Sequence, residues 1–256
     1  GRHGDDVAWL GAGLSTSGAL RRRQHLAHAD PAARVAHARW VLKGKIAAMR
    51  AELDNGWLAQ ASRVETTLVR AEGSLELSGS TASLNGVEGA LAADWFGAMA
   101  ASVEPAWDFT GRNRRPPRDP LNALLSYGYA LAGAEALTAV QRLGFDPAVG
   151  FLHEMYPGRH ALALDALECL RPMVDALAVR LLWSDLDPVQ FRADSARGCR
   201  LDKDARLAVV KGWHALREQG ASAALSRWTH ALRQRLGAGG MPEAEGHEAQ
   251  SNGGPA

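Results

Sequence analysis

Alanine and leucine together supply 81 of the 256 residues, whereas valine, isoleucine and threonine together supply 22. A chain so poor in β-branched residues has little with which to pack a pleated surface, while alanine and leucine lose little on entering a helix. The chain is therefore expected to be mainly α. With 46% hydrophobic and 22% charged residues it has the make-up of a globular protein and is long enough to bury a full core. Its two cysteines, Cys169 and Cys199, are too few for a disulfide framework or a four-thiolate zinc site, so a cytoplasmic setting is expected. The opening GRHGDDVAWLGAG lacks the apolar stretch of a secretory signal, and the first residue is not methionine, as expected of a fragment or one part of a larger chain.

Asp-Pro pairs punctuate the chain at 30–31, 119–120, 146–147 and 187–188. An aspartate N-cap followed by proline in the first turn marks a helix start. The helix predicted over 31–53 sets Val35, Leu42, Ile46, Met49 and Leu53 on one face. Further helices are predicted over about 57–71, 81–103, 119–143, 161–184, 203–219 and 221–236. The most apolar window, 120–140, contains Asn122, Ser126 and Glu135 and reads as a core helix, not a membrane span. FRADSARGCRLD (191–202) lacks helical periodicity and suits a small hairpin or loop. Residues 1–29 are the least helical by pattern: VAWLGAG suits a strand and turn, and the basic run Arg21, Arg22, Arg23 follows. From Gly237 onward the Gly-, Glu- and Ala-rich tail has no apolar period and is expected to be disordered.

Several polar residues stand where a plain helical core would have none. Leu84, Glu88, Leu91 and Trp95 share one helix face, so Glu88 sits at the edge of the stripe, makes a salt bridge, or serves chemistry. Asp165 and Glu168 are three apart in ALALDALECLRP and project together. A local ladder of Glu168, Arg171 and Asp175 would explain them structurally; a cation site would explain them functionally. His153 lies between these helices in GFLHEMYPGR, with neither an HExxH nor an ExxH pattern around it. One imidazole with several carboxylates is an oxygen-rich donor set, better suited to Mg²⁺ or Mn²⁺ than to zinc. FTGRNRRPPRDP holds Arg112, Arg114, Arg115 and Arg118 within seven residues, stiffened by Pro116 and Pro117. Phosphodiester binding is the natural use of such a loop, and a solvated charged loop the plain one.

Together these segments resemble the CRISPR-associated spacer-acquisition integrase, the metal-dependent endonuclease of the CRISPR adaptation complex. LNGVEGALAADWF is similar to the family's Glu-Gly segment. FTGRNRRPPRDPLNALLSYGYAL resembles its Arg-Pro-Pro and Asn-Ala-Leu-Leu-Ser block, and GFLHEMYPGRHALALDALECLRP its His, Gly-Arg, Leu-x-Leu-Asp and Arg-Pro pattern. The blocks span 84–172, with weaker similarity over about 30–218; Asp94-Trp95, Ala166 and Cys169 depart from the family pattern. The resemblance implies metal ligands at Glu88, His153 and Glu168, with Asp165 a further member of the catalytic site. It implies a helical catalytic domain, here 30–236, preceded in 1–29 by the remnant of an N-terminal β domain and linker; composition alone sets off the disordered acidic tail over 237–256. It also implies strand transfer on double-stranded DNA, the prespacer and the CRISPR repeat. A homodimer, a small dimeric partner protein and no membrane complete the implied setting.

The formal charge of +1 does not oppose a polyanionic partner. Without the tail, which holds Glu243, Glu245 and Glu248 and no Lys or Arg, 29 Lys and Arg face 25 Asp and Glu. Arginine outnumbers lysine 25 to 4, as phosphate binding or a GC-rich coding bias would both produce. The alternative to an enzyme is an α-helical nucleic-acid-binding or scaffold module whose acids form structural ion pairs.

Overall fold

A computed structural model describes residues 18–113, 115–194 and 198–238. Their α-helices are α1 (Gly18–Ala29), α2 (Pro31–Asp54), α3 (Ala61–Leu77), α4 (Thr81–Ser102), α5 (Pro120–Arg142), α6 (Ala161–Leu167), α7 (Arg171–Ser184), α8 (Lys203–Leu216) and α9 (Ser222–Ala238). Strands β1 (Phe191–Asp194) and β2 (Gly198–Leu201) form an antiparallel hairpin, pairing Phe191 with Leu201. The expected helical architecture is present, and the 191–202 segment takes its hairpin form.

Capping explains where the helices begin. Asp30 accepts the amides of Ala32 and Ala33 at 2.8 and 3.1 Å, with Pro31 in the first turn of α2. Asp119 does the same for α5 through the Asn122 amide, and Ser80 and Ser83 exchange bonds at the start of α4. Asp187-Pro188 opens only a single 3₁₀ turn, Pro188–Gln190. Asp146-Pro147 starts no helix: Asp146 accepts the Ala148 amide at 3.0 Å and closes a turn. The helix expected from 57 begins at Ala61, because Trp57 and Leu58 are buried in the connection that precedes it.

Two departures from the sequence pattern shape the site. The helix expected over 161–184 is broken between α6 and α7. Pro172 has no N–H to offer the Glu168 carbonyl and its ring crowds that carbonyl, so the chain tightens through i to i+3 bonds, Leu170 N to Leu167 O at 2.9 Å. Residues 18–29, expected to belong to a β-domain remnant and linker, form α1 instead. Leu20, Gln24 and Ala27 share one face, and Leu20 and Gln24 are buried. The tripeptide Arg21–Arg23 is compatible with helix, since arginine is a good helix former. The VAWLGAG segment and the tail from residue 239 lie outside the described residues, while Gly237 and Ala238 end α9.

Helix α5 is long and apolar enough to cross a membrane by length and composition, yet it packs against α6, α7, α8, α9 and β2. Leu121, Leu124, Leu125, Ala132, Ala136 and Val140 are all buried there. Each large apolar side chain so enclosed contributes roughly 1.5–3 kcal/mol relative to exposure. α2, α4 and α7 pack beside this centre and enclose one end of it as a cleft.

Candidate active site

The loop from Leu143 to His160 carries His153, and three helices hold it. From α1, buried Gln24 donates to the carbonyls of Asp146 and Val149 at 2.8 and 2.7 Å and accepts the Asp146 amide at 2.9 Å. From α2, Arg34 donates to the Phe151 carbonyl at 3.2 Å, and His37 stacks on the Phe151 ring at 4.5 Å. From α6, Asp165 accepts the amides of Phe151, Leu152 and His153 at 2.6, 3.2 and 3.0 Å. Gly150 lets the loop press on α6 itself: a Cβ there would stand 2.8 Å from the Ala161 carbonyl carbon.

Asp165 also takes a bond from the ring of His153, Nδ1 to Oδ1 at 2.8 Å. A carboxylate only accepts, so Nδ1 carries the proton of this bond, and Nε2 is turned to the cleft. Nε2 stands 3.8 Å from Glu168 Oε1. Glu168 occupies the break between α6 and α7 and is 3% exposed. Its Oε1 accepts Arg171 Nε at 2.7 Å; its Oε2 is buried without a hydrogen bond, though Lys45 Nζ lies 2.9 Å away as an ion-pair partner. Lys45, on the buried face of α2, also donates to Glu88 Oε1 at 2.5 Å. Glu88 projects from α4 across the cleft and keeps 30% of its side chain exposed.

Burial alone would raise the Glu168 carboxyl, but Arg171, Lys45 and His153 outweigh it and hold the group well below the usual carboxylate range. Burial likewise pulls the Lys45 ammonium down, and Glu168 and Glu88 more than restore it. Beneath them, Asp175 accepts Trp95 Nε1 at 2.9 Å and the Tyr129 hydroxyl. Burial pushes the Asp175 carboxyl up to about 6 despite these bonds. The same enclosure, with the charge of Asp175, raises the Tyr129 hydroxyl well above its ordinary value.

The cleft above these groups has a volume of about 180 Å³. It shares His153, Arg159 and Arg171 with a wider groove of about 730 Å³. Glu88, His153 and Glu168 therefore line one cavity from three elements, offering one nitrogen and two carboxylates. Among the described residues no three His, Cys, Asp or Glu side chains form a group that could hold a metal ion as they stand, and the Lys45 ammonium lies between the two carboxylates. One imidazole nitrogen and two carboxylates, with Glu168 Oε2 making no hydrogen bond, are donors of the kind that suit a hard divalent cation. Residues 1–215 match the family model described as CRISPR associated protein Cas1.

The chain belongs to the Cas1 family. It is 37% identical over 217 residues to the CRISPR-associated endonuclease Cas1 2 of Rhodospirillum rubrum, covering 78% of this chain. The chain spans 62% of that relative's length. Its fold matches a Cas1 protein from Thermotoga maritima with a TM-score of 0.79 at 26% identity, over 89% of this chain and 74% of that one. A casposase bound to integration product matches with a TM-score of 0.75 at 26% identity, over 87% of this chain and 67% of that one.

In this Cas1-family chain the arginine loop divides by role. Arg112 reaches inward, donating to Asn122 Oδ1 at 2.7 Å and Ser126 Oγ at 3.2 Å, with its guanidinium 5.5 Å from the Tyr129 ring centre. Arg115 and Arg118 are exposed, and Arg114 lies outside the described residues. Buried Asn122 braces the loop through the Gly111 carbonyl and the Asn113 amide. Both structural explanations of the acids, a salt bridge at Glu88 and the Glu168–Arg171 pair, are present within the same site. Asp175 does not join that ladder by hydrogen bond; it turns to Trp95 and Tyr129. Lys45 was not marked by any motif. Its signal was a lysine in step with Ala38, Leu42 and Met49 on an apolar face, in a chain with four lysines.

Proposed function

We propose that this chain is the helical catalytic part of a spacer-acquisition integrase, acting in the cytoplasm on double-stranded DNA. The reaction is attack by the 3′-hydroxyl of a captured prespacer on a phosphodiester at the CRISPR repeat: an O–P bond forms, the bridging O–P bond of the repeat breaks, and the proton of the attacking hydroxyl is lost as the leaving oxygen gains one. The observation that carries this reading is the His153–Asp165 couple, which aims Nε2 at Glu168 across from Glu88 inside a basic cleft.

Glu88, His153 and Glu168 would hold Mg²⁺ or Mn²⁺, which supplies charge stabilisation to the phosphoryl oxygens when bound. Asp165 fixes the tautomer and the direction of His153. Arg171, locked on Glu168 and 4.7 Å from the Tyr129 ring centre, keeps positive charge beside the reacting phosphate. Arg115 and Arg118 steer the duplex by phosphate contact. The working assembly is a homodimer joined by a small dimeric partner protein, as the family resemblance implies.

The test is a strand-transfer assay with prespacer and repeat DNA in Mn²⁺. Glu88→Gln, His153→Ala and Glu168→Gln should each abolish joining while gel-shift affinity for DNA stays within a few-fold of the parent, as expected for groups acting on the transition state. Joining by all three variants would refute the assignment. The Lys45 and Arg171 ion pairs favour the second reading, a non-catalytic scaffold; that reading requires that Mn²⁺ leave the melting temperature unchanged, whereas a site bound only by folded protein raises it.

A further inference from the structure

We propose that Lys45 is the resident counter-cation of this site, and that a divalent ion loads by displacing its ammonium from between Glu88 and Glu168. The inference rests on the metal reading given above.

Lys45 Nζ touches both carboxylates, at 2.5 Å and 2.9 Å, on a side chain only 8% exposed. Two carboxylates facing one cleft repel each other, and in a partly dry site that repulsion is weakly screened. Two cations balance them, and the two differ in freedom. Arg171 is fixed by its bond to Glu168 and by the Tyr129 ring beneath it, so its planar group cannot leave without losing both. Lys45 hangs on a four-carbon stem, and its hydrogen bond is to Glu88, itself a candidate ligand. The cleft beside it has room for the ammonium to swing out toward solvent and incoming phosphate.

An ion seated among Glu88, His153 and Glu168 would stand within a few ångströms of that ammonium and take the same oxygens from it. The two positive charges exclude each other. Lys45 therefore does two things in the metal-free protein. It keeps the carboxylates facing one another across α4 and the α6–α7 break, and it lowers the affinity for the ion that replaces it.

The experiment is a Mn²⁺ titration read by thermal melting, on the parent chain, Lys45→Met, Lys45→Gln and Lys43→Met. Lys43 is a half-exposed residue of the same helix paired with Glu76, so it controls for the general loss of one positive charge. Lys45→Gln retains an amide that donates to the carboxylates, and it carries the test if the Met variant does not fold. The Mn²⁺ concentration needed for a given rise in melting temperature should fall by roughly ten-fold or more in the Lys45 variants, and stay at the parent value in Lys43→Met. Equal or weaker Mn²⁺ binding in the Lys45 variants overturns the role of Lys45 and leaves the metal site standing. Absence of any Mn²⁺ response in all four proteins overturns the metal site and this inference with it.

Discussion

His153 Nδ1 donates to Asp165 Oδ1 at 2.8 Å, and the same carboxylate accepts three consecutive backbone amides, those of Phe151, Leu152 and His153. Four donors fill the four acceptor positions of one fully buried carboxylate. Nothing is left over for a cation. Asp165 therefore ties α6 to the histidine loop as a positioning residue, and in the proposed metal site the ligands would be Glu88, His153 and Glu168.

Replacing Asp165 by Asn puts an amide nitrogen against N–H donors that have no other partner. Each buried donor left unpaired costs about 1–3 kcal/mol, so Asp165→Asn should lower the melting temperature by several degrees and reduce Mn²⁺-dependent strand transfer together. Thermal melting with circular dichroism checks the first and the joining assay the second. An unchanged melting temperature would show that the four bonds are not all made in solution.

Gly150 sits where the histidine loop crosses the start of α6. The Cβ of Gly150→Ala would meet the Ala161 backbone at 2.8 and 2.9 Å, and neither main chain can yield cheaply. A loss of about 1–3 kcal/mol in urea unfolding is expected, with activity falling because His153 moves with the loop. Full stability in the variant would mean that the loop has slack here.

The arginine loop should separate into two phenotypes. Arg115→Gln with Arg118→Gln removes exposed charge and should reduce the slope of log affinity for duplex DNA against log salt by about 1–2, without altering melting. Arg112→Gln removes the bonds to Asn122 and Ser126, so it should instead lower stability and activity. Filter binding across a salt series, with melting curves for each variant, distinguishes the two.

Asp175 should leave a signature in pH. Its carboxyl is raised from an ordinary 3.8 to about 6 in the fold, so between those values the folded state keeps a proton that the unfolded state has released. Stability from this group is full below pH 4 and falls as pH rises through 6, by up to about 3 kcal/mol. Asp175→Asn cannot titrate, and its partner Tyr129 can reverse its hydroxyl to accept from the new amide. The stability difference, parent minus variant, should therefore shrink by up to that amount between pH 4 and pH 7 in denaturant titrations. A difference independent of pH would place the carboxyl at its ordinary value.

Local rules were legible wherever one residue decides them. Asp30, Asp119 and Ser80 cap helices because a side-chain oxygen meets amides two or three residues on, whatever the rest of the chain does. Loss of helical periodicity over 191–202 left a hairpin or a loop, and strand pairing made it a hairpin. Asp146 shows the limit of such rules: the same dipeptide closes a turn there, since Gln24, more than a hundred residues earlier, takes its amide and carbonyl. Residues 18–29 show another. Their apolar face is narrow, and contact with the 144–150 loop, with α2 and with α9 makes a helix of them worth burying.

By itself the sequence determined that the chain is helical, where most helices start, and that Glu88, His153, Asp165 and Glu168 stand out from an apolar background. Those are properties of composition and of spacing along one element. Only the tertiary structure decided the division of labour. It saturated Asp165 with four donors, broke the helix at Pro172 so that Glu168 meets Nε2 of His153, drew Arg112 inward, and set Lys45 between one carboxylate from α4 and one from the α6–α7 break. Charge neutralisation in a dry cleft depends on which groups meet in space, and Lys45 meets Glu88 across 43 residues of chain.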